Sequence, residues 1–201
     1  MADRLVIIII AVLVIFAVIV LLSILFGRYD IELPEKRAGR MGERIATSII
    51  SEILNDEDIL LTNVGIFTDG KETELDNVII NTKGIFIIEV KNYSGQLIGD
   101  EEDAEWIKNK VTEAGYLYQK TVRNPIRQVK RQEYLMSKLL KDNGIHVWIK
   151  GYVFLLERNS PVKSAYILDT QKDIDVAVHP DAVDQMDVEM VESVKRLLMK
   201  K

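Results

Sequence analysis

Between Leu5 and Phe26 the chain runs for 22 residues in which Ser23 is the only polar side chain. Helical, that run covers about 33 Å, enough for a bilayer core of about 30 Å. A cleaved leader would have a shorter apolar stretch, about 7–15 residues, followed by a small-x-small site. Phe26-Gly27-Arg28-Tyr29 is not such a site. The pattern therefore predicts one retained transmembrane helix over residues 1–27. Arg4 precedes the run, while Arg28, Lys36, Arg37 and Arg40 follow it. That bias puts the C-terminal side in the cytoplasm, with the chain as a single-pass protein of the cell membrane.

Beyond a short linker (residues 28–37), the apolar period changes. Ile45, Ile49, Ile50, Ile53 and Leu54 recur at helical spacing, which predicts a helix from Ala38 to Leu54. Ile59–Val64, Glu74–Ile80 and Ile85–Lys91 read as strands, the last two joined by a tight turn, Asn81-Thr82-Lys83-Gly84. The third is apolar on both faces up to Glu89, as a central, doubly covered strand would be. Asn124-Pro125 opens a helix that Asn143-Gly144 closes. Strands are expected at His146–Leu156, Ala165–Leu168 and Ile174–Val178, and a last helix at Val188–Met199. The order predicts an α/β domain over residues 38–201, with a mixed central sheet flanked by helices.

Composition narrows the chemistry. The chain of 201 residues has no cysteine, which excludes disulfide scaffolds, thiolate metal sites and cysteine nucleophiles. A net charge of −5 excludes a generally basic nucleic-acid coat, so any such binding needs a local patch. One candidate lies on the helix after Asn124: Arg127, Lys130, Arg131 and Lys138 share a face opposite its apolar stripe. A solvated face of lysine stems is the other reading. His146 and His179 lack ligand spacing to each other or to acids and read as structural. Trp106 and Trp148 read as core, and Asp100–Asp103 as a solvated acidic loop.

Two acids and a lysine at the end of the most buried hairpin carry the main signal. If Thr82-Lys83 is the turn, partner numbers add to 165 and Asp76 faces Glu89. A bulge at Gly84 would slip the pairing by one and leave the acids close. Glu89 and Lys91, two apart, share a strand face. Opposed like charges are destabilising, and a hard divalent cation held by two carboxylates offsets that cost. Lys91 beside them could orient a water or stabilise a phosphate. Alternatively, Lys91 is a structural salt-bridge partner of Glu89 or Asp76.

The chain here resembles a known family. Asp76 followed by Glu89-Val90-Lys91 matches the D…ExK core of the PD-(D/E)xK nuclease superfamily. More closely, it resembles the nuclease-related domain (NERD) family. The likeness lies in Gly39-Arg40-Met41-Gly42-Glu43-Arg44, Glu74–Ile80, Gly84–Gly95, Trp106 and Asn124-Pro125-Ile126-Arg127-Gln128, in order. It is clearest over 39–156, with Asn77 and Tyr93 where the family usually has His and Trp. The resemblance implies a restriction-endonuclease-like fold and a Mg²⁺- (or Mn²⁺-) dependent phosphodiesterase acting on DNA or RNA. Asp76 and Glu89 would be its metal ligands, with the Val90 carbonyl as a further one. Lys91, Glu43 and Gln128 would be its catalytic residues. Glu43 could instead be only a helix N-terminal acid, and Gln128 only a buried amide. Two function classes follow: a membrane-anchored nuclease, or a catalytically silent module that binds nucleic acid or protein at the bilayer reached by residues 5–26.

Overall fold

The structure, a computed structural model, describes residues 2–26, 34–111, 115–157 and 162–200. It divides into two compact units, Met1–Arg37 and Ala38–Lys201. In the first, α1 (Ala2–Phe26) is a continuous helix, and its described side chains between residues 12 and 23 are exposed. Among the described residues, no helix is long and apolar enough to cross a membrane. Arg28 and most of the expected linker lie outside the described residues. Pro34–Arg37, expected as linker, instead form the start of α2 (Pro34–Ser51). Proline suits the first turn of a helix, where its missing N–H is not needed.

The second unit is α/β, with a mixed sheet flanked by helices. Five strands pair in the order β1 (Ile59–Thr68), β2 (Lys71–Asn81), β3 (Gly84–Lys91), β7 (Ile149–Leu155) and β8 (Ile167–Leu168). β1, β2 and β3 are antiparallel neighbours, and β7 and β8 extend the sheet in parallel. Each face of β3 carries its own core. Val78, Ile85 and Ile87 pack with Val129 and Met136 of α3 (Pro125–Asp142) and Val194 of α5 (Val188–Met199). Ile79, Phe86 and Ile88 pack with Ala46 and Ile50 of α2 and Ile174 of α4 (Gln171–Val178). Each fully buried aliphatic side chain here contributes about 1.5–3 kcal/mol.

The β2–β3 turn keeps the expected register, with Asn77 opposite Ile88 and Ile80 opposite Ile85. Gly84 is required there: its φ is 148°, and a Cβ would meet the Trp148 carbonyl oxygen at 2.8 Å. Trp148 itself is 42% exposed and packs edge-on against Phe86, so it caps the core rather than filling it. His146–Trp148, expected to be strand, precedes β7.

Two larger departures concern secondary structure. Residues 171–178 form α4, not a strand. Thr170 caps the helix by accepting from the Asp173 N–H, and Ile174 and Val178, four apart, are its buried residues. The segment between β3 and α3 folds into a second, three-stranded antiparallel sheet: β4 (Gln96–Ile98), β5 (Glu105–Val111) and β6 (Leu117–Arg123). Its strands are short and largely polar, with few residues buried, so the sequence shows little apolar alternation there. Its anchor is Trp106, fully buried as expected, whose indole N–H donates to the Asp100 carbonyl at 2.9 Å.

Candidate functional site

The site forms where β2 parts from β3 and its pairing with β1 skips one position. Along β1 the pairing steps from Thr62–Asn77 to Val64–Leu75 and skips Asn63 opposite Asp76. Asn63 has φ of 52°, a left-handed conformation that asparagine tolerates better than most residues. Along β3 the ladder ends at Asn77–Ile88. Asp76 thus stands at a fork. Its carboxylate fills the gap by accepting the Val90 N–H at 2.8 Å, tying β2 to β3 where the backbone bonds have stopped.

Glu89 and Lys91 stay on β3, which pairs with β7 as far as Lys91–Leu155. Glu89 is only 2% exposed. One of its oxygens accepts from Lys91 Nζ at 2.5 Å, and the other from Gln132 Nε2 at 2.7 Å. A buried carboxylate needs such donors, because leaving it bare in an apolar core is costly. Asp76 is less well served. Burial, then the repulsion of Glu89 and, more weakly, of Glu43, raise its pKa to about 7 against the pull of the Val90 N–H and Lys91. Burial alone would lower the Lys91 pKa, but Glu89, Tyr93 and Asp76 together raise it.

The structure brings most of the sequence candidates together. Asp76, Glu89 and Lys91 form one cluster, and Glu43 of α2 lines a cleft with Asp76, Arg40, Arg44 and Thr47. Gln128 is half-buried one turn earlier on α3, and none of the described hydrogen bonds joins its side chain to the acids. Gln132 makes that contact, and sequence reading missed it. The signal was there: a glutamine at 132 interrupts the buried stripe Val129, Met136 and Leu140. Asn77 is also fully buried and accepts from Thr47 Oγ1 at 2.7 Å.

On the basic helix face, Lys130 pairs with Glu101 at 2.8 Å and lies over the Tyr166 ring, and Lys138 lies 3.5 Å from Asp142. Arg127 and Arg131 are exposed. His179 departs from the sequence reading, for it does meet acids. Its two ring nitrogens lie 2.9 Å from Asp58 and 2.7 Å from Asp175, four residues earlier on α4. Burial opposes its charge, but those two carboxylates outweigh burial and raise its pKa.

Among the described residues, no group of three or more His, Cys, Asp or Glu is arranged to hold a metal ion. The donors present still suit a hard cation of the kind that needs only one or two carboxylates. Two acids share the fork, and burial and the repulsion of Glu89 raise the pKa of one of them, Asp76, to about 7. The Gln132 Oε1 oxygen is buried without a partner.

The mixed α/β sheet and its fork carry Asp76, Glu89 and Lys91, the residues on which the resemblance to a nuclease-related domain rests. Comparison with known families bears on the same segment: residues 38–156 match the nuclease-related domain, NERD, and the chain belongs to that family. It is also similar to an uncharacterised protein of Bacillus anthracis, 29% identical over 110 residues, covering 52% of this chain and 50% of the relative. The chain thus spans about half the length of that relative. No solved structure matches it.

Proposed function

We propose that this chain is a membrane-anchored, metal-dependent nuclease that hydrolyses phosphodiester bonds of DNA or RNA. The observation that supports it best is the pair of half-buried Asp76 and buried Glu89, with Lys91, at the sheet fork of a nuclease-related domain. Asp76 and Glu89 would hold Mg²⁺ or Mn²⁺. A bound divalent cation supplies a more acidic water and neutralises phosphate charge. The side chains do the rest. Gln132 fixes the Glu89 carboxylate from α3, so that its position does not depend on Lys91 alone. Lys91, with its raised pKa, places positive charge where the phosphate gains negative charge in the transition state. Glu43, which lines the cleft with Asp76, would take a proton from the attacking water.

A second reading, a silent tethered module binding nucleic acid or protein, is favoured by one observation. Both Glu89 oxygens are already engaged by Lys91 and Gln132. Cleavage assays on the full chain in detergent, with Mg²⁺ or Mn²⁺ and single- and double-stranded DNA and RNA, separate the two. The nuclease reading expects metal-dependent cleavage, lowered about 10²-fold or more by Lys91→Ala with metal binding intact. No cleavage on any substrate, with no thermal shift from either metal, would overturn it.

The anchor rests on the apolar run Leu5–Phe26, with helical backbone in α1. The basic residues after it support a cytoplasmic position for the nuclease-related domain.

A further inference from the structure

We propose that the β5–β6 hairpin is the track along which a single nucleic-acid strand reaches the Asp76–Glu89–Lys91 site, an inference that rests on the nuclease reading. The register carries it. Trp106 faces Val122, Lys108 faces Lys120, and Lys110 faces Tyr118. Alternate residues share a sheet face, so one face of this hairpin begins in the core at Trp106 and continues outward as Lys108 and Lys120, then Lys110 and Tyr118. Lys108 and Lys120 stand directly opposite each other, which concentrates positive charge on this face.

The track is continuous with the site. Lys108 Nζ lies 5.8 Å from the centre of the Tyr93 ring, two residues beyond Lys91. Burial raises the Tyr93 pKa, and Lys91 and Lys120 both stand near enough to oppose the rise. Tyr93 therefore joins the lysine face to the lysine of the fork. At the far end Tyr118 is 50% exposed beside Lys110. Lysines that follow a backbone, with aromatic rings on which bases stack, are how proteins bind single strands without reading sequence. On this face the three strands carry three lysines and no acid, while Arg123 faces Glu105 on the other face. In a chain of net charge −5, that makes this face of the hairpin strands a local positive strip.

The test is binding without cleavage. Full chain in detergent micelles, with chelator present, is titrated with a fluorescein-labelled single strand of about 12 nucleotides at several salt concentrations. Lys108→Gln/Lys110→Gln/Lys120→Gln is expected to weaken binding about tenfold or more. It should also flatten the slope of log K against log salt by about 2, three lost phosphate contacts at roughly 0.7 each. Lys110→Gln/Tyr118→Ala changes only exposed side chains and should also weaken binding, which keeps the test valid should the triple variant misfold. Lys172→Gln/Lys195→Gln/Arg196→Gln, an equal loss of charge on α4 and α5, should leave binding within about twofold. The proposal is overturned by unchanged binding in both hairpin variants, by an equal loss in the α4–α5 variant, by a loss confined to Arg127→Gln/Arg131→Gln, or by tighter binding of a duplex of equal length. Binding through the hairpin with no cleavage on adding metal refutes the nuclease reading alone. Cleavage with hairpin-independent binding refutes this proposal alone.

Discussion

At the scale of single residues, Asp76 carries the tension in the domain. Its carboxylate does a structural job, holding the Val90 N–H where the ladder has ended, while burial and Glu89 oppose its charge. A carboxyl group whose pKa is higher folded than unfolded takes up protons on folding, so it stabilises the fold less as pH rises. For Asp76 that window runs from the ordinary value of 3.8 up to about 7. Metal-free protein should therefore lose stability between pH 4 and pH 7 through this group. Asp76→Asn keeps an oxygen for the Val90 N–H and should remove that part of the slope. Denaturant unfolding with chelator at pH 5 and pH 8 measures it. Equal pH dependence in the wild type and the variant would mean that Asp76 is not the strained group. The sequence showed the opposition of Asp76 and Glu89 through register alone. It could not show the fork, because the skipped pair depends on Asn63, which lies within a strand and carries no turn signal.

Asn124 plays the same kind of role between elements. Its side-chain oxygen caps α3 by accepting the Ile126 N–H at 2.8 Å, and its amide nitrogen donates to the carbonyls of Glu101 and Asp103 at 2.9 and 2.8 Å. One buried residue thus starts the helix that carries Gln132 and shapes the acidic loop between β4 and β5. The helix start was legible from Asn-Pro, since both residues have local capping chemistry. The loop contacts were not, because they span more than 20 positions of sequence. Asn124→Ala removes a cap worth about 1 kcal/mol and two further buried hydrogen bonds worth about 1 kcal/mol each. Stability should fall by about 3 kcal/mol, and limited proteolysis should open the chain within residues 100–103 before it opens elsewhere. A loss near 1 kcal/mol with the loop still resistant would leave only the cap to Asn124.

Across the whole molecule, the parts that could be read early are those in which one residue type repeats at one period. The doubly apolar strand β3, the stripe of α3 and the final helix α5 all keep the bounds, or nearly the bounds, that their patterns imply. The small sheet β4–β6 was missed because its strands carry little apolar period, and α4 was missed although its Thr170 cap and the Ile174–Val178 spacing are local helix signals. The N-terminal run has the strongest period-free signal of all, and its consequence is topological. If the proposed anchor holds, its 22-residue apolar run Leu5–Phe26 would reach about 33 Å as a helix, close to the roughly 30 Å of the hydrocarbon core. Arg28, Lys36, Arg37 and Arg40, all on its C-terminal side, would hold that side in the cytoplasm. A tag after Lys201 should then resist protease added to intact cells and be digested once the membrane is permeabilised. The chain should stay with membranes through a carbonate wash and keep residues 1–27. Digestion of the tag in intact cells would reverse the orientation, and release by the wash, or a mature chain beginning near Gly27, would remove the anchor.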